Sequence, residues 1–279
     1  MNYLRQRDCA FLRMLVILGM LGCLPSAGPC LAAERLPSAS EVIRRMIERA
    51  QAVAMDELGT HYAYEKRSLL AHLDAAGQIF KSEEKFYEVT LVAGFPFNRL
   101  VRIRGRELTS EELQREQRKE ERFQQRFTSH NVTNMATRKE AWVTPQLLER
   151  YDFVVKERVV MNDRPALVLT FKPKKGKLPE KAVTDNILNR MAGTLWLDEQ
   201  EAEAVKLAVN LTDSISLGWF GMLGSLSRFD LSVERMRMPE GVWVNARQIL
   251  QIQYRKLTST QRFRSTEESS EFKKGAAPR

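Results

Sequence analysis

Four carboxylates fall within the six residues 198–203 of the stretch GTLWLDEQEAEAVKLAVNL, Gly193 to Leu211: Asp198, Glu199, Glu201 and Glu203. Acids gathered this closely suit general acid/base chemistry or a hard cation. On a helix they would form a solvated face. In a turn between strands they would sit in water with ordinary ionisation. Local propensity leaves the choice open, because Glu, Ala, Gln and Lys favour a helix, and Ala204, Val205, Ala208 and Leu211 share one helical face. The flanks favour strands. Val205, Leu207, Val209 and Leu211 alternate with Lys206, Ala208 and Asn210, and Leu195 and Leu197 flank Trp196. A helix would leave Leu207 off its apolar side. The stretch is predicted to be a hairpin, with Trp196 and Leu207 in its arms and the acids at a wet tip. The glycine and ligand spacing of an EF-hand are missing, so no calcium site is expected.

Other chemistry finds little support. His61, His72 and His130 belong to no HExxH pattern, and no metal-ligand spacing appears. There is no GxSxG elbow and no phosphate-binding glycine loop. No metal, no cofactor and no enzyme activity are expected.

The first residues point to export. Arg5, Arg7 and Arg13 form a basic region, Met14 to Leu24 an apolar one, and Leu31-Ala32-Ala33 a small-residue site before Glu34. This is the layout of a cleaved signal peptide over residues 1–33. The alternatives are a short membrane anchor, or lipid attachment at Cys23 in the sequence Met20-Leu21-Gly22-Cys23. Cys9, Cys23 and Cys30 all precede the cleavage point, so the mature chain would have neither thiol nor disulfide. Residues 1–33 hold +2 of the +9 formal charge, which leaves +7 on the remainder. For an exported protein such a charge suits anionic lipid headgroups, envelope polymers or an acidic protein rather than nucleic acid. It also serves solubility.

The elements that would position these residues are mostly strands. Ser38 or Ser40 would cap an amphipathic helix to Leu58, which carries Val42, Ile43, Met46, Ile47 and Ala50 on one stripe and ends at Gly59. Two long strands flank the turn Asp74–Gly77, and Phe97 to Ile103 forms a third. Thr109 to Phe127 is a charged helix opened by a Thr109/Glu112 capping box, with Leu113, Phe123 and Phe127 as its apolar residues. It would insert near residues 109–130, either resting on a sheet edge or acting as a lid or partner-docking helix. His130 to Lys139 is expected to be loop, and Thr144-Pro145 to open a short helix. Strands from Tyr151 to Val160, with Phe153, Val155 and Val159 on one face, and from Pro165 to Phe171 form a second hairpin. A lysine-rich loop, residues 172–181, follows. A short helix from Thr184 would end at Gly193. Two strands from Arg228 to Arg255 turn at Pro239-Glu240-Gly241, a last one runs from Arg262 to about Thr266, and residues 273–279 form a tail. The sum is an α+β fold with a curved antiparallel sheet over residues 34–272 in a single domain.

With the hairpin in place, the chain resembles the LolA/LolB/RseB-type envelope proteins. The resemblance rests on the leader and first helix, the sequential hairpins, Gly193-Thr194-Leu195-Trp196-Leu197-Asp198, and Glu240-Gly241-Val242-Trp243-Val244. It implies an unclosed β-barrel covered by helices, a periplasmic location and a non-enzymatic role. Carrier members of that group hold lipid or lipoprotein acyl chains, whereas RseB-like members bind protein partners. The charged helix departs from the apolar lids of a carrier. Candidate ligand-lining residues are Trp196, Leu207, Phe229 and Leu231, with Trp219, Phe220, Met222 and Leu223 in the glycine-punctuated segment Ile215 to Leu226. Candidate contacts for a partner or an anionic membrane surface are Lys174, Lys175 and Lys177 of the loop and Arg115, Arg118 and Arg122 of the helix.

Overall fold

The computed structural model describes residues 35–55, 62–92, 95–128, 148–180, 183–217, 224–256 and 258–274. The leader with Cys23, Gly59, His61, His130, the Thr144-Pro145 turn and the four residues Trp219, Phe220, Met222 and Leu223 lie outside them.

Helix α1, Ala39–Met55, begins where Ser38 accepts the N–H of Glu41 through Oγ at 3.3 Å and that of Val42 through its carbonyl at 3.1 Å. Ser38, not Ser40, is therefore the cap. Val42 and Met46 on its apolar stripe are buried against Leu167, Leu169, Leu195, Leu197 and Ala202. This is the main core of the molecule.

Twelve strands form a single sheet. They are β1 (Tyr62–Leu73), β2 (Ile79–Val92), β3 (Phe95–Ile103), β4 (Arg106–Glu107), β5 (Tyr151–Met161), β6 (Arg164–Pro173), β7 (Met191–Asp198), β8 (Ala204–Leu211), β9 (Ile215–Leu217), β10 (Gly224–Arg237), β11 (Trp243–Lys256) and β12 (Ser259–Lys274). The order is β4-β3-β2-β1-β12-β11-β10-β8-β7-β6-β5, with β9 beside β10. Each recorded pairing is antiparallel. The edge strands β4 and β5 do not meet, so the sheet is unclosed, as expected from the sequence. Helix α2 (Ser110–Thr128) packs beside β3, and the short α3 (Val183–Leu188) precedes β7.

The predicted hairpins form with small shifts of boundary. β12 reaches Lys274, well past Thr266, because it pairs along nearly the whole of β1 and β11. In β5, a bulge between Val155 and Glu157 reverses the alternation. Val155 faces Leu169 but Val159 faces Ala166, so Val159 lies on the side of the sheet opposite Phe153 and Val155 rather than with them.

Gly193 was expected to end a helix; it lies inside β7, and α3 stops earlier, at Leu188. A Cβ there would stand 2.1 Å from the Ala208 carbonyl oxygen and 2.8 Å from the Phe171 ring. Glycine in a strand marks such close approach. It lets Phe171 lie over the strand and meet Tyr151 and Phe153, at centroid separations of 5.3 and 5.8 Å. Gly193→Ala should therefore lower stability by about 2–3 kcal/mol, read as a reduced urea midpoint at constant slope. An unchanged midpoint would contradict this packing.

Candidate functional site

The β7–β8 hairpin forms as predicted, but its acids are not wet. Asp198 is fully buried and Glu203 is 8% exposed. Asp198 is reached bidentately by Arg164, Nε to Oδ2 at 2.5 Å and Nη2 to Oδ1 at 3.0 Å. Its Oδ1 also accepts the N–H groups of Gln200 and Glu201, at 3.0 and 2.8 Å. Glu199 is gripped by Arg158 through two bonds of 2.6 Å. Glu201 accepts Arg237 Nε and Trp243 Nε1, each at 2.7 Å. Glu203 receives Arg49 at 3.0 Å and Arg235 at 2.8 Å. Arg45 donates to the Glu199 carbonyl at 3.0 Å.

The tip is thus a knot joining α1, β5, β6, β10 and β11 to the hairpin. Desolvation is the largest influence on Asp198 and pushes its pKa up; Arg164 and the backbone donors outweigh it and hold the carboxyl below its usual range. This carboxylate stays ionised and is committed to structure. Among the described residues no cluster of His, Cys, Asp or Glu is placed to hold a metal ion.

Cross-strand partners point to the same face, so the register carries one face across the sheet. Leu169, Leu195, Leu207, Val233 and Gln248 form one row. Phe171, Gly193, Val209, Leu231 and Leu250 form the next. Phe229 and Ile252 lie one row further. The first row is the one under α1, where Leu169 and Leu195 are buried. Leu207 packs against the edge of that core, and further from α1 the face stays apolar while burial falls: Val209, Phe229, Leu231, Leu250 and Ile252 are all half-buried.

Leu207, Phe229 and Leu231 of the predicted lining therefore share this face. Trp196 does not. It pairs with Val168 and Lys206 on the opposite face, where the Lys206 ammonium lies 5.5 Å from its ring centroid. A cavity of about 300 Å³ on that other face involves Thr194, Ala208, Asn210, Asp230, Ser232 and Gln251.

The predicted cationic contacts occupy two separate places. Lys174, Lys175 and Lys177 are exposed on the loop after β6. In α2 the capping box forms: Thr109 N–H reaches Glu112 at 2.8 Å and Glu112 N–H reaches Thr109 Oγ1 at 3.3 Å. Glu112, Glu116 and Glu120 repeat every four residues and face the sheet. They bind Arg106, the Leu100 N–H and Arg99, while Phe123 packs on Phe97 at 5.0 Å. The helix is held by its acidic stripe, which leaves Arg115, Arg118 and Arg122 exposed; of these, Arg115 pairs with Glu111 at 3.5 Å.

No family model matches the chain, and no curated protein does. Solved structures do. A putative outer-membrane lipoprotein-sorting protein domain from Vibrio parahaemolyticus is 11% identical, with 87% of this chain and 95% of that one covered and a TM-score of 0.34. A LolA superfamily protein from Nitrosomonas europaea is 11% identical over 85% and 94% of the two chains, with a TM-score of 0.31. The Pseudomonas aeruginosa MucA/MucB complex gives 11% identity over 85% and 99%, with a TM-score of 0.22. These are structures of the group that the sequence resembles. The class defined by the chain's own geometry is an open antiparallel sheet with one apolar face partly covered by a helix.

Two outcomes follow from the ion pairs. Asp198→Asn strips the charge facing Arg164 in a buried setting and should cost about 3 kcal/mol of unfolding free energy; a loss near zero in urea titration would mean the knot is dispensable. Glu112 is held at about 2, chiefly by Arg106 and then by the Thr109 N–H. Because its folded value is depressed, its contribution is complete above the unfolded value of 4.5 and disappears as pH falls towards 2. The stability gap between the parent and Glu112→Gln should close over that window. A gap constant with pH would contradict the assignment.

Proposed function

We propose that this chain is an exported, non-enzymatic binding protein of the cell envelope whose half-open apolar face holds a lipid or lipoprotein acyl chain. The observation that carries this is the apolar face running on from the α1 core through Leu207, Val209, Phe229, Leu231, Leu250 and Ile252 without becoming fully buried. An alkyl chain laid there gains about 0.8 kcal/mol per methylene removed from water. Capture and release then need no covalent step. In this reading Leu207, Phe229 and Leu231 would line the site, and Trp196, on the other face, would not.

Organic extraction of the purified protein followed by mass spectrometry should recover lipid, and a fluorescent fatty acid should bind. Leu231→Asp should weaken that binding about ten-fold or more, while Trp196→Ser leaves it within two-fold (about the error expected for a residue outside the site). Repeated absence of lipid together with no fatty-acid binding would overturn the proposal.

A second reading is a partner-binding regulator. It is favoured by Arg118 and Arg122, which are exposed and have no carboxylate partner among the described residues. Crosslinking in the envelope that is unaffected by charge reversal at Arg115, Arg118 and Arg122 would remove that reading.

A further inference from the structure

The two ends of the sheet differ in kind. At one end lies the knot of arginines and carboxylates, in which each carboxylate is met by at least one arginine. At the other end β1 turns into β2 and β11 into β12, and the register sets these hairpins side by side, with Lys81, His72, Phe263 and Ile252 in one row. There a bulge sets Phe80 out of the ladder, since Leu73 faces Ile79 while His72 faces Lys81. Ile79 is 54% and Phe80 67% exposed. At this same end of the sheet Lys81, Arg255, Lys256 and Arg264 are exposed, and among the described residues none has a carboxylate partner. Asp74, in the turn itself, already accepts the N–H groups of Ala76 and Gln78 through Oδ1, at 2.9 and 2.8 Å. Lys174, Lys175 and Lys177 leave the sheet at this same end, after β6.

We infer that this end of the sheet, Ile79 and Phe80 within a rim of unpaired cations, docks on the surface of an anionic phospholipid bilayer. An isoleucine and a phenylalanine held in water beside free cations match the two layers of such a surface. The apolar pair enters the headgroup–acyl boundary, and each cation is attracted to the anionic headgroups. An acidic protein would satisfy the cations without calling on the apolar pair, and the serine variants below separate the two. The inference does not depend on what the apolar face near α1 holds.

The test is co-sedimentation of residues 34–279, which include the compact unit Leu36–Arg279, with phosphatidylcholine vesicles with and without phosphatidylglycerol. The chain should sediment with the anionic vesicles, less so at high salt, and not with pure phosphatidylcholine. Arg255→Glu with Lys256→Glu should weaken binding by at least about five-fold per cation, and Ile79→Ser with Phe80→Ser about ten-fold. All four positions are exposed, and circular dichroism verifies the fold of each variant. Leu231→Asp should sediment like the parent, so failure of the apolar-ligand reading leaves this result intact. Absence of the parent from the anionic pellet overturns the inference. So does parental binding by both tip variants, or loss with Leu231→Asp. Loss on charge reversal with full retention after the serine changes also overturns it, and favours an acidic macromolecule.

Discussion

The bidentate pair between Arg164 and Asp198 is the interaction on which the rest of the sheet depends. A buried carboxylate costs several kcal/mol unless its charge and lone pairs are met. Here one guanidinium and two backbone N–H groups meet them. The neighbouring Glu199, Glu201 and Glu203 extend the same logic to Arg158, Arg237 and Arg235, and Arg49 ties α1 to the tip. No cysteine follows Cys30, so no disulfide can brace these strands. A knot of ion pairs at one end does so instead. Paired ions are geometrically demanding and fix the register of hairpins that apolar contacts alone would leave freer to slide.

That bracing has a consequence for the apolar face. With β6, β7 and α1 held by the knot, the helix covers Leu169 and Leu195 and leaves Leu207, Leu231 and Leu250 half-buried. The edges of the sheet do not meet, so closure does not hide these side chains either. An open sheet with a long apolar face gains by covering it, and an alkyl chain is a suitable cover. Helix α2 departs from this scheme. It binds β3 through Glu112, Glu116 and Glu120, and its outer cations remain in water.

Much of this was legible in the sequence where the determinants are local. The Thr109/Glu112 capping box spans four residues, and the turns at Asp74–Gly77 and around Gly241 carry their own signals; each appears as expected. The burial of the acids was not legible, because their partners come from far along the chain: Arg164 is 34 residues from Asp198, and Arg49 is 154 from Glu203. The clue available was the recurrence of arginine at strand ends, at 158, 164, 235 and 237. The separation of Trp196 from Leu207 follows from the register, since Leu207 pairs with Leu195 and Trp196 with Lys206, which puts the two side chains on adjacent rows and opposite faces. The side of Val159 was lost to a bulge that no periodicity reveals, and Gly193 is explained by the Phe171 ring, a residue on another strand.

The central claim, that the face beneath and beyond α1 receives an alkyl chain, is tested most directly by photo-crosslinking with a diazirine-bearing fatty acid and mapping the labelled peptides. Labels are expected on β8, β10 and β11 at Leu207, Phe229, Leu231, Leu250 or Ile252. Labels confined to the opposite face, at Trp196 or Ile249, or no specific label in competition with unlabelled fatty acid, would contradict it.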